Sequence, residues 1–300
     1  MHRAGRAYGW PVRGRLPALA LATMVACSGS HPHLTRAQRT PATTAPAPSS
    51  PSTSTSTSTT AAVESAAAVA AELAAVEPAV RNPATPPKLL AEYGRRQLLA
   101  YRQLARHPEW GGDVMGSDVI KRNPDLAEAI THNLAAQLEL QALTAPRTDV
   151  PPWKVRPPKP AADLLAWYRE AEASSGVPWA YLAAIHFVET HFGRVHGLST
   201  AGAVGPMQFL PATWAAYGRG NIEDDHDAIQ AAARYLRANG APADLAAALF
   251  RYNRSVHYVR AITHYAQVLI DDPRAYAGYY SWPVLVRLTT GDVIIPEGNG

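Results

Sequence analysis

From Thr35 to Ala62 the chain has no large apolar side chain, and from Thr40 to Val63 no charged one. The stretch consists mainly of serine, threonine, proline and alanine, and it ends in Ser-Thr alternation over 51–60. Such a segment cannot bury enough apolar surface to offset the entropy of ordering it. Whatever core this 300-residue chain builds must therefore come from residues after 61. The expected organisation is a leader over 1–27, a disordered Ser/Thr/Pro/Ala linker over 28–61, a helical region over 62–152, a main domain over 153–275 and a C-terminal tail over 276–300.

The leader reads as an export signal. Arg3, Arg6, Arg13 and Arg15 form a basic start, and the apolar stretch Leu16–Ala26 follows. That stretch is too short to span a bilayer and suits a secretory signal. It ends in Met24-Val25-Ala26-Cys27, which resembles a bacterial lipobox, where the cysteine becomes the lipidated N-terminus. Cys27 is the expected lipid attachment, tethering the chain to the membrane through the linker. An ordinary signal peptide with a bystander cysteine is the alternative. As the only cysteine of the chain, it excludes a disulfide framework and a cysteine zinc cluster. Without residues 1–27 the basic count falls from 28 to 24 against 24 acidic residues, so the formal charge of +4 becomes zero. The mature chain carries no basic footprint for nucleic acid. The expected location is the outer face of the cytoplasmic membrane or the cell envelope.

Beyond the linker the periodicity is helical. Ala61–Val80 is alanine-rich, and apolar residues recur at 89, 90, 93, 98, 101 and 104. Asn123-Pro124 opens a third helix, and the proline-rich 145–160 reads as a connector. In the tail, Val284, Val286 and Leu288 alternate, Thr290-Gly291-Asp292 turns and Val293-Ile294-Ile295 follows, the pattern of a small β-hairpin serving as a structural flap.

Three pieces of 161–275 carry chemistry. In the first, a helix opened by Pro178 runs to Gly193. At 100° per residue, Glu189 lies within about 20° of Leu182 and about 40° of Ile185, on the apolar face. A carboxyl group there is pushed toward its neutral form, which a general acid for glycosidic cleavage requires. The alternative is a helix-end glutamate with a basic partner. A metal reading fails because His186 and His191 fall about 140° apart and the spacing is not that of a zinc peptidase. Asp225-His226-Asp227 begins like a calcium loop but has Gln230 where an EF-hand needs glycine. Asp227-Ala-Ile-Gln230 reads instead as a capping box. No metal and no cofactor is expected.

The second piece is the loop Ser199-Thr-Ala-Gly202-Ala-Val-Gly205-Pro-Met207-Gln208-Phe209. The third is Ala-Leu-Phe-Arg-Tyr252-Asn253, followed by Ser255 and Tyr258-Val259. Glycines let backbone approach a ligand, and a glutamine amide can both donate to and accept from sugar groups.

Taken in order, Glu189-Thr…Gly193, Gly202-Ala-Val-Gly205-Pro-Met207-Gln208-Phe209-Leu-Pro and Tyr252-Asn253 resemble the lytic transglycosylases of bacterial peptidoglycan. The pattern is most similar to the membrane-bound lytic transglycosylase B-like family, over roughly 161–275. The resemblance implies a mostly α fold, with a lysozyme-like α-domain beside the N-terminal helical region and the small hairpin. It implies Glu189 as the single catalytic acid/base, with Ser199, Met207, Gln208, Phe209, Tyr252 and Asn253 lining the substrate cleft. The implied substrate is the β-1,4 bond between N-acetylmuramic acid and N-acetylglucosamine, and the implied product is a 1,6-anhydro end. No Asp or Glu occurs between Glu189 and Glu223, which suits a one-carboxylate mechanism. A hydrolytic muramidase and a non-catalytic wall-binding lipoprotein are the alternatives at this point.

Overall fold

The computed structural model describes residues 65–298. The leader, Cys27 and the 28–61 linker lie outside the described residues. Four segments make the N-terminal region: α1 (Ala66–Arg81), α2 (Pro87–Arg106), a helical turn divided between α3 (Gly111–Gly116) and α4 (Asp118–Lys121), and α5 (Pro124–Leu143). Ser65 caps α1 by accepting from the Ala68 amide, and Pro87 and Pro124 take first-turn positions where no donor is lost. Between α1 and α2, the buried Glu77 pairs with Arg81 and accepts from the Tyr101 hydroxyl. A charge removed from water on an apolar helix face needs such partners.

After β1 (Lys154–Val155) come α6 (Ala161–Ser175), α7 (Trp179–Thr190), β2 (Val195–His196), α8 (Pro211–Tyr217), α9 (Asp225–Ala238), α10 (Leu245–Tyr252), α11 (Val256–Asp271) and α12 (Ala275–Ser281). The hairpin β3 (Val284–Leu288) and β4 (Gly291–Ile295) ends the described chain. The expected mostly helical fold with a small C-terminal hairpin is what forms. Among the described residues no helix is long and apolar enough to cross a membrane.

Helix α7 sits at the centre. Ten of its twelve residues are buried, so it is enclosed on every side rather than amphipathic. It packs on α6, α9 and α11, while α11 packs on α5 and α12 packs on α1 and α2. One apolar cluster runs from Val69 through Tyr101 and Ile185 to Trp282. The N-terminal helices and the later domain therefore share a core.

Four local expectations change. The helix containing Glu189 stops at Thr190, three residues short of Gly193, because His191, Phe192 and Gly193 take φ values of 52°, 61° and 77°. The cap of α9 is Asp224, whose carboxylate accepts from the Asp227 amide, not a box begun by Asp227. Asp227 instead accepts from the Asn221 amide of the preceding loop. The connector and the tail also combine. Strand β1 pairs antiparallel with β2, and the Arg147 backbone bonds to Arg287 and Thr289 around β3. Val155, Val195, Val284, Val286 and Ile295 bury one another there, with Trp153 beside them. The hairpin turns at Thr289 and Thr290, leaving Gly291 and Asp292 in β4.

Candidate active site

Glu189 is the penultimate residue of α7 and only 3% exposed. The helix ends abruptly behind it. The His191 amide returns to the Phe187 carbonyl and the Phe192 amide to that of His186, a tight left-handed exit of the kind that satisfies last-turn carbonyls. Thr190 latches this exit to the next loop. Its hydroxyl donates to the Pro206 carbonyl at 2.6 Å and accepts from the Gly193 amide at 3.0 Å. Beneath lies a buried polar set. Tyr168 and Nδ1 of His186 share a hydrogen bond of 2.7 Å, and Nε2 of His186 stands 3.3 Å from Asp225. A Cβ on Gly193 would run into the Asp225 carboxylate, so glycine serves there both for its positive φ and for the space.

One carboxylate oxygen of Glu189 accepts from the Tyr258 hydroxyl at 2.8 Å, while the other is buried and has no hydrogen-bond partner in the protein. Burial pushes the Glu189 carboxyl up to about 8, against a smaller downward pull from Tyr258. At neutral pH the group holds a proton. Its burial also has a stability signature. Below pH 4.5, its ordinary value, the carboxyl is protonated in both folded and unfolded chains. As pH rises toward about 8 the unfolded carboxyl ionises while the folded one keeps its proton, so stability is lost through that window. Glu189→Gln does not titrate. Its Tm advantage over the wild type is expected to widen from pH 5 to pH 8 and then level off; a pH-independent difference in thermal melts would contradict the raised value.

Four of the six expected cleft residues meet Glu189 around one small cavity. Gln208, Phe209, Tyr252 and Asn253 line it, together with Thr213 and Tyr235. Its volume is about 10 Å³, close to room for one water. Gln208 sits at φ 50° on the turn that closes the Val204–Phe209 bridge, and its side-chain amide donates to the Gly205 carbonyl at 2.9 Å. Oε1 of Gln208 and both side-chain polar atoms of Asn253 are buried without a hydrogen-bond partner in the protein. Such atoms are costly and rare away from functional sites. The Tyr252 hydroxyl turns away to the Met207 carbonyl at 2.6 Å.

The other two expected residues lie outside this lining. The Met207 side chain is fully buried in the core. The Ser199 hydroxyl accepts from the Ala201 and Ala203 amides and shapes the loop. Tyr258 was readable only as part of the third motif. Its contact with Glu189 depends on the packing of α11 against α7, 69 residues apart in sequence.

Glu189 also borders a second cavity of about 170 Å³. This one is walled by α2, α5, the 144–153 connector and the hairpin. Among the described residues, no acid other than Glu189 lines either cavity. Asp224, His226 and Asp227 come close enough together to suggest a cation site, but all three are accounted for as the cap of α9, its loop contact and a His226–Glu170 pair.

A desolvated carboxyl raised in pKa at a helix end, beside the unpartnered Gln208 oxygen and Asn253 amide in a helical domain, is an arrangement suited to general acid–base chemistry. Residues 167–267 match the family model described as Transglycosylase SLT domain, about a third of the chain and inside the 153–275 segment. That domain is the one found in lytic transglycosylases, which act on peptidoglycan. No curated protein and no solved structure matches the chain.

Proposed function

We propose that the protein is a lytic transglycosylase that cleaves the β-1,4 bond between N-acetylmuramic acid and N-acetylglucosamine and leaves a 1,6-anhydro end. The carrying observation is the Glu189 carboxyl, raised to about 8 and bonded on one oxygen only. The unpartnered oxygen is the one free to act. It donates its proton to the leaving glycosidic oxygen as the bond to C1 breaks. The carboxylate so formed then takes the proton of the muramoyl 6-hydroxyl as that oxygen attacks C1, and Glu189 returns to its starting state. Tyr258 steadies the transient carboxylate with the hydrogen bond it already donates. Gln208 and Asn253 offer donors and acceptors to hydroxyl and N-acetyl groups. Among the described residues neither cavity is lined by a second acid, which favours this route over hydrolysis, a reaction that needs another carboxylate as nucleophile or base.

Export and lipid attachment at Cys27 belong to the same reading. They place the enzyme in the cell envelope, with the 28–61 segment as tether. Mass spectrometry of purified wall digested with the protein tests the reaction. Anhydro-muramic ends are expected; reducing ends alone would reassign the protein as a hydrolytic muramidase, and no soluble fragments would leave a wall-binding protein.

A further inference from the structure

The 170 Å³ cavity that also borders Glu189 is notable for its charge. Its lining holds three guanidinium groups, Arg102, Arg147 and Arg287, and Glu189 is its single acid. Glu189 is protonated near neutral pH, and burial pushes His191, also in the lining, down to about 3, where it too is neutral. The one carboxylate that answers the arginines is Asp292 of β4. It is engaged by Arg102 at 3.0 and 3.2 Å and shared with Arg106 at 3.0 Å. Arg102 also donates to Gln137, so its capacity is largely used.

Arg287 stands across the hairpin from Asp292, which favours its charge without forming an ion pair with it, and no carboxylate among the described residues is paired with Arg147. One terminal nitrogen of Arg287 donates to the Thr144 carbonyl at 3.1 Å; the other is buried without a partner. The Arg147 side chain lies over the Trp153 ring at 5.4 Å, and its hydrogen bonds are made by its backbone. Burial pulls both guanidinium groups down from their ordinary value; at Arg287 the Arg102 charge adds to this and the Asp292 charge opposes it. Holding like charges in a half-buried, apolar-walled space costs free energy unless an anion is recovered there. None of the three arginines lies within residues 167–267, so the matched domain does not account for them.

We infer that this cavity takes a carboxylate of the substrate, held by Arg147 and Arg287 while the scissile bond lies at Glu189. This rests on the proposed reaction, because the cavity shares Glu189 with the small cavity lined by Gln208 and Asn253. Two carboxylates of peptidoglycan have the needed chemistry: the lactyl carboxylate of stem-free muramic acid, and the carboxylates of an attached peptide stem. Guanidinium groups pair with both in the same forked geometry.

Binding can be measured without turnover by working in the Glu189→Gln protein. Calorimetry would use three glycan preparations of equal length: stem-free strands, stem-bearing strands, and strands with all carboxylates converted to methylamides. The acidic strands are expected to bind about tenfold more tightly than the methylamides, the worth of one charge-assisted hydrogen bond. Whichever acidic preparation carries the preference identifies the carboxylate. Adding Arg147→Met and Arg287→Met should bring the ratio to about one, and Arg147→Lys with Arg287→Lys should restore part of it. Equal binding of all three strands, or no binding, overturns the inference, and so does a preference that survives both methionine substitutions. The methylamide comparison needs no arginine variant, so a misfolded variant does not obscure it. Failure of the proposed reaction is read separately, from the absence of anhydro ends in wild-type digests.

Discussion

Glu189→Gln is expected to lower strand cleavage by about 10³-fold or more, while binding of glycan strands to the wall-facing site persists. The size follows from the number of tasks resting on one group. General acid–base help contributes roughly 10²–10⁴-fold when a positioned side chain moves one proton, and here one carboxyl both gives and takes a proton within a turnover. Gln keeps the shape, and its carbonyl can still accept from the Tyr258 hydroxyl that now bonds Oε1. It has no proton of suitable acidity to give. The measurement is release of soluble muropeptides from purified wall, with a pull-down on the same wall to follow binding. Retained cleavage would remove Glu189 from the mechanism, and loss of both binding and the thermal transition would mean that the substitution had damaged the fold instead. The wall-binding alternative predicts that neither measurement moves.

The parts of this site that were legible in the sequence are those fixed by local rules. Helical periodicity set α1, α2, α5 and α7 to within a few residues, because an apolar face at 100° spacing is a property of a short window. The same count put Glu189 with Leu182 and Ile185, and all three are buried. Periodicity could not show that α7 is enclosed on every side, since that depends on α6, α9 and α11 arriving from elsewhere in the chain. Nor could it show the left-handed exit at His191 and Phe192, since a positive φ is uncommon for any residue but glycine. The Tyr258–Glu189 contact and the arginine cavity were invisible for the same reason. One needs a contact across 69 residues, and the other gathers Arg102, Arg147 and Arg287 from a helix, a connector and a hairpin that read separately as support, linker and flap. The Cys27 and linker expectations concern residues outside 65–298.

Gly205→Ala is expected to destabilise the fold by roughly 3 kcal/mol, a Tm loss on the order of 10 °C. Two costs add at this position. The backbone stands at φ 76°, where a Cβ is strained, and a Cβ built there would lie deep inside contact with the Ile222 carbonyl oxygen. That oxygen belongs to a backbone, so it cannot swing aside as a side-chain tip would. Gly202 supplies the control. It has nearly the same φ, 77°, but nothing within 4 Å of an added Cβ, so Gly202→Ala carries the strain alone, about 1 kcal/mol. A difference of several degrees between the two melts would isolate the clash, whereas equal melting temperatures would mean that the loop yields around Ile222. The effect on function should exceed the effect on stability. The Gly205 carbonyl accepts both the backbone amide and the side-chain amide of Gln208, at 3.0 and 2.9 Å. Moving that carbonyl turns the Gln208 side chain, whose unpartnered oxygen faces the cavity beside Glu189. At a temperature where the variant is still folded, kcat/KM on wall should therefore fall further for Gly205→Ala than for Gly202→Ala.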